Sequence, residues 1–181
     1  PSISMLASSV TSMVVIAICG TPGTGKSLLA DAFKKLNFEV IHLSRFVIEN
    51  KLYQSYDNKR DAYVIDEEKF LEAINRYIES RMGKNIVIEG IGAECLPPEI
   101  VDICIVLTCE PFVLKERLEQ KGFPPEKIEE NLEAERFGII FGEAVANYGS
   151  SKTIVVDTTY KSIGEVFDVI LNELRKRGVV K

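Results

Sequence analysis

A chain of 181 residues with a formal net charge of −5 is long enough to bury one apolar core without disulfide or metal staples. Its acidic balance, with a sequence pI near 5.1, excludes the global basic field that drives non-specific binding to nucleic acid, so no direct sequence-specific contact with DNA or RNA is expected. The first apolar run, residues 13 to 19, falls well short of the roughly 20 residues a bilayer span requires, and no membrane association is expected.

The opening "PSISMLASSVTS" carries no basic n-region and little ordering pattern. It reads as a flexible, appended or upstream extension (residues 1–12) and not as a signal peptide, with Met13 as the natural start and residues 13–181 as a single domain. Val14, Val15, Ile16 and Ile18 then form a β-branched run that predicts a buried first strand.

Directly behind that run comes "CGTPGTGKSLL", residues 19–29, with the spacing Gly20-x-x-x-x-Gly25-Lys26-Ser27. This is the pattern of a phosphate-binding loop: backbone N–H groups wrap the phosphates, the lysine reaches the outer ones, and the hydroxyl sits on Mg²⁺. After it, "SLLADAFKKL" places Leu28, Leu29, Ala32, Phe33 and Leu36 at helical spacing. A helix starting there sets the positive end of its dipole beneath the anion.

Further strand-like runs recur at "FEVIHL", "NIVIEG", "DICIVLTC" and "KTIVVDT", with helical patterns between them. That alternation predicts an α/β fold with a doubly wound, five-stranded parallel sheet, its ligand loop at the carboxyl end of the first strand. Asp66 is the expected N-cap of a helix presenting Phe70, Ile74, Tyr77 and Ile78 on one face. Pro111 and Gly122 bracket another, and a Ser162/Glu165 capping box opens the last, which ends at Gly178.

Two segments interrupt the alternation, "SRFVIENKLYQSYDNKRDAYVI" and "KGFPPEK". Inserts at the mouth of such a sheet build lids and second-substrate sites. Arg45 stands just after the second strand, Arg117 and Lys121 lie four apart on one helix face, and Arg136 follows on the next helix, so positive charge is available to close over a transferred phosphate. The letters "NKRD" at 58–61 match a guanine-specificity motif but do not follow a strand and lack a D-x-x-G partner; they read as a solvated charge run. Cys19, Cys95, Cys104 and Cys109 form no C-x-x-C pair and have no histidine at ligand spacing, which predicts core thiols in a reducing cytoplasm. His42, the single histidine, is expected to be structural.

"GTPGTGKS", "ENKLYQSYDNKRDAYVIDEEK" and "RLEQKGFPPEKIEENLEAE" together resemble the sixth-isoenzyme type of adenylate kinase and its archaeal relatives, over nearly the whole chain from Met13. The resemblance implies a three-layer P-loop NTPase fold of the nucleoside monophosphate kinase type, with an acceptor-binding insert at 43–66 and a short lid at 120–130. It further implies a monomeric, broad-specificity, Mg²⁺-dependent kinase using ATP that also hydrolyses it. A role in maturation of the small ribosomal subunit, through transient binding of a small-subunit ribosomal protein, is implied as well.

By position, Gly23, Thr24, Gly25, Lys26, Ser27 and Leu28 resemble the ATP-phosphate contacts, joined by Lys121 from the lid. Lys26, Glu89, Arg117 and Lys121 become the expected catalytic residues, Ser27 and Glu89 the Mg²⁺ residues, and Arg45 and Tyr56 the monophosphate contacts. The loop at Asp157–Thr159 resembles the adenine site. Two positions depart from the family: an expected Asp-x-His reads Glu89-Gly90-Ile91, and the arginine expected to grip the monophosphate falls on Ile48. Two readings stay open: a nucleoside monophosphate kinase, and an assembly factor in which slow ATP hydrolysis switches binding to a ribosomal protein. A kinase for a non-nucleotide metabolite such as shikimate lacks its Gly-Gly-Gly acceptor loop, which here reads "EGIGAECLPPE".

Overall fold

The computed structural model describes residues 13–181; the 1–12 extension lies outside them. Strands β1 (Val15–Gly20), β2 (Glu39–His42), β5 (Ile86–Glu89), β6 (Ile103–Thr108) and β7 (Thr153–Asp157) form one parallel sheet in the order β2-β5-β1-β6-β7. These are the five runs expected. The central strand β1 is buried along its whole length, which explains why its sequence is apolar throughout and does not alternate.

Alternate residues of β1 feed two separate cores. Ile16 and Ile18 face α1 (Lys26–Ala32) and α7 (Ile163–Lys176), where Leu29, Phe33, Val166, Ile170 and Leu174 complete the packing. Val15, Ala17 and Cys19 face the opposite layer, with Ile74 and Ile78 of α3 (Glu67–Ser80) and Ala144 and Tyr148 of α6 (Ile139–Tyr148). Helices on both faces of a parallel sheet make the three-layer P-loop fold. A third cluster joins α4 (Pro111–Gln120) to α5 (Pro125–Arg136) through Leu114, Leu118, Ile128 and Leu132.

The expected helix signals act as read. Asp66 accepts from the Lys69 amide at 3.2 Å, Pro111 stands in the first turn of α4, and Ser162 with Glu165 forms a complete capping box. Cys19, Cys104 and Cys109 are buried free thiols, whereas Cys95 is exposed, because the short 3-10 turn it ends buries Ala93 and Glu94 and leaves Cys95 on its outer side.

The polar stretch after β2 folds into α2 (Leu43–Glu49) and an antiparallel hairpin, β3 (Tyr53–Asp57) with β4 (Ala62–Ile65), that projects beside the sheet. "NKRD" is the turn of this hairpin. Asp57 accepts from the amides of Lys59 and Arg60, and Asp61 takes a left-handed φ of 50°, so these letters serve turn geometry.

Candidate active site

The carboxyl end of β1 turns sharply into the loop at Gly20, where a Cβ would lie 2.7 Å from the Leu107 carbonyl oxygen. Gly23, at φ +91°, lies against Leu114 and Leu118; a Cβ there would approach Leu114 to 3.0 Å. The loop is thus seated on β6 and α4, and no side chain fits between. Thr24 is buried and spends its hydroxyl on the Thr21 carbonyl at 2.8 Å, an internal brace. Gly25 is the N-cap of α1 and has no side chain, so the first-turn amides remain available to an anion.

Lys26 Nζ donates to the Thr21 carbonyl at 3.2 Å. Burial lowers its proton affinity below that of an ordinary lysine, the nearby Glu89 carboxylate opposes that effect, and the positive charge of Lys121 adds to it. An ammonium with three donors and one carbonyl partner, at the foot of a glycine-rich loop, fits a polyphosphate chain.

Next to it lies a polar chain from three elements. Ser27 Oγ is 3.4 Å from His42 Nδ1, His42 Nδ1 is 2.7 Å from Glu89 Oε1, and His42 Nε2 is 3.0 Å from Asp31 Oδ1. His42 and Glu89 are register partners at the carboxyl ends of neighbouring strands, which is why residues so distant in sequence meet. The hydroxyl and carboxylate oxygens here are the hard donors that Mg²⁺ prefers. His42, expected to be structural, links Glu89 of the cavity lining to Asp31, which was not singled out at all.

A cavity of about 580 Å³ opens over these groups. Gly23, Gly25, Lys26, Ser27, Leu28, Glu89 and Lys121 all line it, so most of the residues expected at the triphosphate come together. The far wall is mostly apolar: Val47 and Ile48 of α2, Ile65 of β4 and Phe70 of α3, with Ile91 at the end of the sheet and Ser44 and Tyr63 as its uncharged polar members. Arg45 and Tyr56 are not in that wall. Ser44, Val47 and Ile48 define the inward face of α2, and Arg45 is one residue, about 100° of helix, beyond Ser44. Tyr63 lines the cavity, while Tyr56 packs outside it on the Tyr63 ring at 5.1 Å. Arg136 is exposed and paired with Glu129 at 3.3 Å, also outside the lining.

Arg117 acts as a clamp in this conformation. It donates to the Gly23 carbonyl at 3.4 Å, to Thr158 Oγ1 at 3.1 Å and to the Thr158 carbonyl at 2.9 Å, joining the loop to the segment after β7. That segment, Asp157–Thr159, is closed by Thr159 bonds to the Asp157 carboxylate. Glu135 of α5 supplies a second brace, accepting from the Thr21 hydroxyl and from the Cys109 amide. No local pattern in the sequence announces Glu135, since its partners come from the segments that follow β1 and β6.

The model of the AAA domain family matches residues 16–138. A protein of Sulfurisphaera tokodaii named "Putative adenylate kinase" is 41% identical over 160 residues, covering 88% of this chain and 81% of that protein. The adenylate kinase isoenzyme 6 homolog of Caenorhabditis elegans is 37% identical over 134 residues, covering 74% of this chain and 73% of that protein. Among solved structures, thymidylate kinase from Candida albicans matches with a TM-score of 0.60 at 13% identity, covering 92% of this chain and 93% of that one, a likeness of fold.

Proposed function

The chain belongs to the AAA domain family and to the adenylate kinases of the isoenzyme 6 type, and from that premise we propose that it transfers the γ-phosphate of ATP to AMP or another nucleoside monophosphate. The observation that carries this reading is Lys26 at the foot of a cavity with two unlike walls, an amide-lined loop on one side and the insert α2–β3–β4 on the other. Such a cavity accommodates a donor and an acceptor facing each other, as in-line phosphoryl transfer requires.

In this reading the loop amides and Lys26 hold the triphosphate and neutralise charge that develops on the transferred group. Mg²⁺, held through Ser27 and Glu89, would supply further neutralisation when bound. His42 fixes the Glu89 carboxylate and Asp31 fixes the imidazole from behind. Arg117 keeps the loop in register with the Asp157–Thr159 segment, where the base of ATP would rest. Closure of the α4–α5 corner at 120–130 over the cavity, bringing Lys121, would exclude water.

The test is phosphorylation of a panel of nucleoside monophosphates with ATP and Mg²⁺, expected at about 1 to 100 turnovers per second. No ADP above the monophosphate-free blank would remove the kinase. A second reading has its own support: Ile48 stands in the acceptor wall where a cation would serve better. In it the protein is an ATPase switch that binds a small-subunit ribosomal protein and has little kinase activity. Phosphate release without monophosphate phosphorylation, with partner capture sensitive to ATP, would favour it. Either way we read residues 13–181 as one monomeric domain working in a reducing cytoplasm, consistent with its free thiols.

A further inference from the structure

An anionic acceptor needs a cation, and the wall built by the insert offers none: Val47, Ile48 and Ile65 are apolar, and Ser44 and Tyr63 are uncharged. Three cationic side chains line the cavity, namely Lys26, Lys121 and Lys127. Lys26 belongs to the loop. Lys121 ends α4, whose Leu114 and Leu118 carry Gly23, and its charge reaches Lys26, so it stands on the donor side. Lys127 is left for the acceptor.

Its setting supports more than elimination. Lys127 occupies the first turn of α5, where a positive side chain opposes the helix dipole. A residue that breaks a local rule in a cavity wall points to a ligand. The Nζ is held 5.0 Å from the centre of the Phe123 ring, and Phe123 lines the same cavity. The ring orients the amine while leaving its three donors for oxygen acceptors.

We propose that Lys127, braced by Phe123, is the residue that binds the phosphate of the acceptor monophosphate, taking over from the lid side the grip that Ile48 cannot provide from the insert. The proposal rests on the kinase reading above for the identity of the acceptor.

The experiment compares AMP and adenosine binding by calorimetry in the native protein, Lys127→Met and Lys127→Arg, with MgATP binding as the control for fold. Lys127→Met is expected to weaken AMP on the order of tenfold to a hundredfold, the range for losing a hydrogen bond to a charged group. Adenosine and MgATP should bind as before, and Lys127→Arg should restore AMP. Unchanged AMP affinity, an equal loss for adenosine, or a native protein that binds AMP no better than adenosine would each overturn the assignment. If the native protein binds AMP through Lys127 yet transfers no phosphate to it, the kinase reading fails and the Lys127 contact stands.

Discussion

His42 Nδ1 lies 2.7 Å from Glu89 Oε1, joining the carboxyl ends of two neighbouring strands beside the phosphate-binding loop. Glu89 is only 6% exposed, so it depends on this partner. His42→Ala leaves a buried carboxylate short of a hydrogen bond, expected to cost about 1 to 3 kcal/mol of stability. Turnover should fall more than ATP affinity does. His42→Asn, whose amide can donate to Glu89, should recover part of the turnover; loss of stability with turnover intact would confine His42 to the fold.

Lys26 carries its charge at a cost in the empty protein, because burial lowers its proton affinity. Between the lowered folded value and the ordinary 10.5, the unfolded chain holds more protons than the native one. Stability of the empty protein therefore rises with pH through that window and carries the full penalty below it. Lys26→Met should flatten that slope, leave the empty protein at least as stable at neutral pH, and abolish both turnover and stabilisation by ATP. Denaturant midpoints measured across the window, with and without ATP, decide it.

Glu135 fastens α5 to the loop through the Thr21 hydroxyl and to the end of β6 through the Cys109 amide. Glu135→Ala leaves that largely buried amide without its acceptor and should lower stability by about 1 to 3 kcal/mol. The loop amides at 20–25 should exchange hydrogen faster and ATP should bind more weakly. Thr21→Val should add little on top of Glu135→Ala, since both cut one tether; full additivity would mean the two residues act separately.

Ile48 is 47% exposed in the acceptor wall, so a longer polar side chain there displaces nothing. Ile48→Arg is expected to change stability by no more than about 0.5 kcal/mol, as surface changes do. It should lower the KM for the monophosphate on the order of tenfold by adding a charged contact, with ATP hydrolysis alone unchanged. An unaltered KM would show that the acceptor phosphate does not come near α2.

The sheet was legible because its inner strands β1, β5 and β6 are apolar runs buried almost throughout and the edge strands β2 and β7 keep a short β-branched stretch, and the helices because Asp66, Pro111 and Ser162 mark their starts. The β3–β4 hairpin was not, since Gln54, Ser55, Tyr56 and Tyr63 to Ile65 are exposed and leave no two-sided pattern to read. Most residues around Lys26 follow from the loop motif. The contacts of His42 were not legible because its partners, Asp31 and Glu89, lie 11 and 47 residues away and meet it only through the fold. Arg45 was expected at the acceptor because phase on a seven-residue helix cannot be fixed from sequence; Ser44 and Ile48 point inward instead.

Leu28, Ile48, Ile65 and Ile91 are 63%, 47%, 42% and 66% exposed, all around one opening. A protein with so greasy an entrance should be stickiest when idle, with bound nucleotides as the plug that keeps it in solution. Stripped of them and concentrated, the protein should scatter light before it unfolds, and millimolar ATP with AMP should keep the solution clear. Cellular energy supply would then govern how much of the enzyme stays dispersed as well as how fast it works.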